Sequence, residues 1–345
     1  MKMLFGFSVL SVLLTPVCRR AARKLLAAAA IIGALALAPA QGIANDSTAE
    51  LATGGLIFTK SKEIEMRSED LFISMKKIRV QYKFYNHSNS DVVKQVAFPM
   101  PDLTFGPDDN IAVPIEGREN FLGFTTTVNN RPVAARVERK ALLDGVDKTD
   151  VLRKLIVPLA PSLNQKTNLS QKTWDQLVRL RLIEDTPRSE GHIEPRWTLK
   201  TTYYWQQTFP TRQEVTISHR YLPSVGGTVP LEASYLLEHP GTLELDRSTG
   251  LNRFCIDQTF LNAMVRSPKS TWEPRNLEYV LKTGANWAGP IRDFRLVVDK
   301  GSPKNLVSFC GKGIRKIGET QFEFRASDFT PTSNLSVLFL VRGQA

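Results

Sequence analysis

The sequence predicts a mainly β protein, an antiparallel β-sandwich-like fold of two β subdomains with a short helical insertion. Three observations carry that expectation. Apolar and polar residues alternate with period two in run after run, the pattern of a strand with one buried face. The runs are separated by short stretches rich in Asn, Asp, Gly and Pro, the residues of tight turns. Alternation lapses from Arg139 to Glu184, where the spacing turns helical.

The elements follow in chain order. Arg19, Arg20, Arg23 and Lys24 form a basic cluster, Leu25–Leu37 is an uncharged apolar run of 13 residues, and small residues follow in "APAQGIAND". That order is the layout of a secretory signal peptide, and the run falls short of the roughly 20 residues that span a bilayer. Residues 1–44 are therefore expected to be a leader, cleaved after Ala44. A second apolar run, Met3–Val17, precedes the arginines; either translation starts downstream of Met1 or the leader is unusually long.

Alternation begins at Lys62: Ile64 and Met66 face one way, Glu63, Glu65 and Arg67 the other. Ser68, Glu69 and Asp70 break the run and read as a turn before Leu71. "KKIRVQYKFYN" and "VVKQVAFPMP" read as a hairpin across the loop "NHSNSD", ended by Pro99 and Pro101, which cannot donate to a ladder. "FTTTV" and "RPVAARVER" form a second hairpin about Asn129 and Asn130, since Asn tolerates left-handed backbone. The insertion, about residues 139–187, holds two helices, "DKTDVLRKLIV" and "SQKTWDQLVRLRLIE", with Asp150 and Ser170 as caps. Strands return at "RWTLKTTYYWQQTFP" and "QEVTISHRYLP". "PSVGGTVP" then reads as a flexible loop dividing an N-terminal subdomain, 45–225, from a C-terminal one, 226–345. The latter carries a helix after Asp257, "QTFLNAMV", and the strands "LEYVLKTG", "IRDFRLVVD", "NLVSFC", "QFEFRAS" and "NLSVLFLV".

Charge and cysteine usage bound the function. The leader holds five basic residues and no acid, so the formal charge falls from +11 to about +6 on processing. Without a dense Lys/Arg stripe interleaved with aromatics, nucleic acid is not an expected partner. After cleavage Cys255 and Cys310 remain, an even pair in an oxidising compartment, and a disulfide between them is expected. It would close a loop worth about 4 kcal/mol in the chain-entropy model.

Four residues stand out as candidate binding positions. Glu69 and Asp70 are carboxylates in the predicted turn. His219 and Tyr221 share the apolar phase of their strand with Val215 and Ile217, and a partly buried histidine can act as a base or ligand. The structural alternative fits each: turn hydrogen bonds for the carboxylates, core packing for the ring residues. The chain has no HExxH, CxxC, Gly-x-Ser-x-Gly, phosphate loop or dinucleotide fingerprint, and His87, His192, His219 and His239 lack ligand spacing. No catalytic residue, metal or cofactor is expected.

Taken together, "NDSTAELATGGLIFTKSKEIEMRSEDLFIS", "VQYKFYN", "VAFPMPDL", "YYWQQTFP", "SHRYLPSVGG" and "TGANWAGPI" resemble the bacterial domain-of-unknown-function family numbered 4424, from about Asn45 onward. The resemblance implies an exported protein of Gram-negative bacteria, hence the periplasm, and no established activity. The order of elements around "VQYKFYNHSNSDVVKQVAFPMP" and "FPTRQEVTISHRYLP" is also similar to the vault/inter-alpha-trypsin domain, a likeness of architecture alone. The leading expectation is a non-enzymatic periplasmic β-protein that binds an envelope protein, a glycan or a peptide, with no membrane span in the mature chain. A carboxylate-dependent hydrolase and an envelope scaffold are the alternatives.

Overall fold

Strand alternation organises the computed structural model, which describes residues 47–52, 55–105, 110–161, 168–186, 191–239, 243, 253–266 and 271–343. The expected leader and its cleavage point at Ala44 lie outside the described residues. The N-terminal strands are β1 (Ser47–Ala52), β2 (Gly55–Thr59), β3 (Ile64–Ser74), β4 (Lys77–Asn86), β5 (Val92–Pro99), β6 (Leu103–Thr104) and β7 (Asn110–Ile111). Then come β8 (Thr125–Val128), β9 (Arg131–Val133), β10 (Arg136–Leu143), β11 (Val146–Asp147), α1 (Thr149–Lys154) and α2 (Gln171–Arg179). The next elements are β12 (Thr198–Phe209), β13 (Glu214–Tyr221), β14 (Gly226–Gly227), β15 (Leu231–Glu232), α3 (Ala233–Glu238) and α4 (Gln258–Val265). The chain closes with β16 (Thr271–Tyr279), β17 (Ile291–Asp299), β18 (Leu306–Phe309), β19 (Arg315–Lys316), β20 (Gln321–Phe329) and β21 (Leu335–Arg342). A 3-10 turn, Lys282–Asn286, joins β16 to β17. The chain is thus mainly β with short helices, as its alternation predicts.

Three sheets form. An eight-stranded sheet runs β19-β20-β17-β3-β4-β13-β8-β9, a seven-stranded sheet β11-β10-β12-β5-β1-β2 with β6 against β12, and a six-stranded sheet β18-β21-β16-β14-β7 with β15 against β16. Their apolar faces share one core. The eight-stranded sheet contributes Met66, Leu71, Val80, Phe84, Ile217 and Phe294; the others add Phe98, Leu199, Trp205, Leu277, Val337 and Phe339. Aromatic strands earn their place here by burial: Tyr82, Phe84, Tyr203 and Phe209 are at most 2 % exposed. A smaller core under α3 and α4 collects Leu236, Phe254, Phe260, Met264 and Trp272. The disulfide Cys255–Cys310, with Cα atoms 5.0 Å apart, ties the segment before α4 to the end of β18, as expected.

Local signals resolve well. The Asn129–Asn130 turn joins β8 to β9 with φ of 48° and 62°. The Ser170 hydroxyl accepts from the Thr173 N–H at the start of α2, and the Asp257 carboxylate from the Phe260 N–H at the start of α4. Asp150 does not cap α1; Lys148 occupies the cap position and Asp150 falls in the first turn, where its charge complements the helix dipole.

Four expectations are corrected. The predicted turn at Ser68–Asp70 does not exist: β3 runs unbroken, with a β-bulge between Met66 and Ser68 that leaves Arg67 as the extra residue. The predicted β4–β5 hairpin is absent because the two strands enter different sheets; β4 pairs with β3 and β13, whereas β5 pairs with β1 and β12. Residues 139–147 are strand and a tight turn rather than helical insertion, since β10 extends the ladder with β12 and folds back through Asp144 and Gly145 on β11. The division at 225/226 does not separate two sheets. β17 lies parallel to β3 in the centre of the eight-stranded sheet, and the expected flexible loop there contains β14, paired with β7 and β16. Gly227 suits that close approach, because a Cβ there would meet the Pro274 carbonyl oxygen at 2.8 Å.

Candidate binding groove

The site is built from the outward-facing residues of the eight-stranded sheet. Because side chains alternate, cross-strand partners of equal phase line up in rows. One row runs Arg295–Asp70–Gln81–Ser218–Thr127 across β17, β3, β4, β13 and β8. The row two residues along runs Val297–Phe72–Arg79–Arg220–Thr125. Both rows line an open groove of about 550 Å³. The bulge at Arg67 sets the phase. Met66 faces the core before it and Glu69 after it, so Asp70 and Phe72 are delivered to the groove.

The groove is polar and its charge is uneven. Arg295 is held on one side by Asp70, at 3.1 Å, and on the other by Glu323, at 2.8 Å. Its hydrogen bond to Glu323 holds the guanidinium protonated above its usual range. Glu323 is 5 % exposed and also binds Arg315 at 2.8 Å and Arg325 at 3.2 Å. Hydrogen bonding from Arg295, outweighing burial, and the further arginines hold its carboxyl at about 2. That end of the sheet is electrostatically closed. At the other end Arg79 and Arg220 are direct cross-strand partners, and among the described residues no carboxylate pairs with either. Arg79 lies over the Phe72 ring at 4.9 Å. The Gln81 amide donates to the Ser218 hydroxyl at 3.3 Å, and the Thr125 hydroxyl to the Arg220 carbonyl at 3.3 Å.

The four candidate residues separate. Asp70 is exposed and lies in the groove, paired with Arg295. Glu69, its neighbour, is fully buried on the opposite face, where the Tyr279 hydroxyl donates to its Oε1 at 3.3 Å and also lies 2.9 Å from the Tyr82 hydroxyl. The His219 ring is turned to the core among Phe98, Phe124, Trp205 and Tyr82, with centroids 4.8, 5.0, 5.3 and 5.7 Å away. Tyr221 is buried against Phe98 and Phe124, and burial pushes its hydroxyl well above the usual range. Glu69 and Asp70 thus point to opposite faces and form no acid–base pair. Glu65, expected on a solvated face, is buried as well. Burial pushes its carboxyl up, but hydrogen bonds from His87, at 2.7 Å, and from Arg292 outweigh this and hold it below the usual range. The groove residues Arg79, Gln81, Ser218, Arg220 and Thr127 were missed in the sequence because their signal is polar phase alone.

A second cavity, about 290 Å³, lies between β6, β14 and β16. Its arginines are matched: Arg253 with Glu278 at 3.2 Å, Arg275 with Glu273. Among the described residues no three His, Cys, Asp or Glu side chains gather as a metal site, and no helix is long and apolar enough to cross a membrane.

Fold and groove together define a three-sheet β protein with a cationic, hydroxyl-lined sheet face. The chain belongs to the family described as "Domain of unknown function (DUF4424)", which matches residues 44–338. Comparison with curated proteins returns no match. Among solved structures, one from Legionella pneumophila subsp. pneumophila str. Philadelphia 1, provisionally named a nutrient binding protein, is similar at 19% identity and a TM-score of 0.42. The match covers 86% of this chain and 70% of that one.

Proposed function

We propose that this protein is an exported, non-enzymatic binding protein of the bacterial periplasm and that its ligand occupies the groove on the eight-stranded sheet. The carrying observation is the pair Arg79 and Arg220, like charges on residues directly opposite each other on neighbouring strands, with no carboxylate partner among the described residues. Such a pair disfavours the empty sheet and favours an anion between the two guanidiniums. The signal-like order from Arg19 to Ala44 and the Cys255–Cys310 disulfide support export to an oxidising compartment. The opposite orientations of Glu69 and Asp70 weigh against the carboxylate hydrolase.

Fractionation of the native host combined with native mass spectrometry tests this reading. The expected result is a periplasmic chain beginning at Asn45 with a non-covalent adduct that disappears in Arg79→Glu and Arg220→Glu variants. A cytoplasmic chain that retains its leader overturns the export part. An adduct unchanged by both variants overturns the groove.

A further inference from the structure

The chemistry of the groove also narrows its ligand. This step rests on the reading of the groove as the binding site. The two rows span five strands, four spacings of about 4.8 Å, so the lined face is about 19 Å long. They lie two residues apart along each strand, about 7 Å, the width of a single sugar ring. One row carries hydroxyl and amide groups that both donate and accept, Gln81, Ser218 and Thr127. The other carries Arg79 and Arg220, which only donate. Phe72 supplies one half-buried ring, with the Arg79 guanidinium already over it at 4.9 Å and the Lys77 ammonium at 5.6 Å.

Each feature removes an alternative. A nucleic-acid strand needs a series of rings on which successive bases stack, and this face offers one, already covered by cations. An extended peptide adds to a sheet edge through main-chain hydrogen bonds, whereas this groove lies on a sheet face. A small free oxyanion would use the arginines and leave the long hydroxyl and amide row idle. A chain of linked, hydroxylated rings bearing an acidic group uses both rows. We infer that the groove takes an acidic oligosaccharide. Its carboxylate or phosphate is held between Arg79 and Arg220, and its hydroxyls are read by Gln81, Ser218 and Thr127.

Isothermal titration of the protein with trigalacturonate, maltotriose and inorganic phosphate tests this. Trigalacturonate is expected to bind at least ten-fold more tightly than either other probe. Arg79→Gln and Arg220→Gln are expected each to weaken it ten-fold or more without lowering the melting temperature of the ligand-free protein, since both side chains are exposed and each change relieves the like-charge pair. Ser218→Ala and Thr127→Val should weaken it several-fold without changing its salt dependence. Equal affinity for maltotriose overturns the acidic assignment and leaves the groove standing. Phosphate binding as tightly as trigalacturonate overturns the saccharide assignment. Binding insensitive to both arginine variants overturns the groove along with it. No binding of any probe overturns the oligosaccharide inference, and the native adduct then decides the groove independently.

Discussion

Glu69 and Asp70 are chain neighbours in opposite surroundings. Glu69 is fully buried with Tyr279 donating to it, while Asp70 is exposed in the groove beside Arg295. Removing the hydroxyl in Tyr279→Phe deprives a buried carboxyl and Tyr82 of a partner, and is expected to cost about 1–3 kcal/mol in chemical unfolding. Asp70→Asn breaks an exposed pair and is expected to cost less than about 1 kcal/mol. His219→Ala empties the space between Phe98, Phe124 and Trp205 and is expected to cost about 3 kcal/mol, a cavity effect that unfolding curves will separate from any change in ligand binding. The inward phase of His219 and Tyr221 was legible because "VTISHRY" alternates without interruption. Glu69 was not, because a bulge residue leaves no mark when the residues after it, Ser, Glu and Asp, all suit a turn equally well.

At the scale of elements, the bulge in β3 and the arginine cage on β20 make separate claims. Deleting Arg67 removes the extra residue and restores plain alternation, with Ser68 still opposite Lys83, Glu69 still inward opposite Tyr82 and Asp70 still in the groove. Such a chain is expected to keep the fold and lose only the contacts of Arg67 with Glu65, Glu214 and the Tyr85 ring, which circular dichroism and thermal unfolding would reveal. Glu323 titrates at about 2 in the folded protein against an ordinary 4.5. Because the folded value is the lower one, its contribution is complete above about pH 4.5. It is lost progressively as the pH falls towards 2. Thermal unfolding across that window should fall more steeply for the native chain than for Glu323→Gln, which is itself destabilised at neutral pH. Caps and tight turns were legible from the sequence, Ser170, Asp257 and Asn129–Asn130 among them, because each acts within a few residues of itself. The groove was not: Arg79 and Arg220 meet only once the order β17-β3-β4-β13-β8 exists, and nothing local encodes that order.

On the scale of the whole molecule, the disulfide and the sheet crossing act on the same half of the chain. Reduction of Cys255–Cys310, 55 positions apart, is expected to lower stability by about 4 kcal/mol, read as a shift in denaturant midpoint with and without reductant. The parallel pairing of β17 with β3 has a kinetic consequence. Contacts such as Arg295 with Asp70 join positions 225 apart, so a central strand of the largest sheet emerges from the ribosome with one edge bare. That edge stays bare until the last fifth of the chain has been made. Folding dominated by such long-range pairing is slow, and an uncovered strand edge invites pairing with other chains. A chain truncated after Val225 is therefore expected to aggregate rather than yield a free-standing half. Refolding of the intact chain should be slow and should lose yield as its own concentration rises, so that a holding chaperone would raise the yield without altering the final structure.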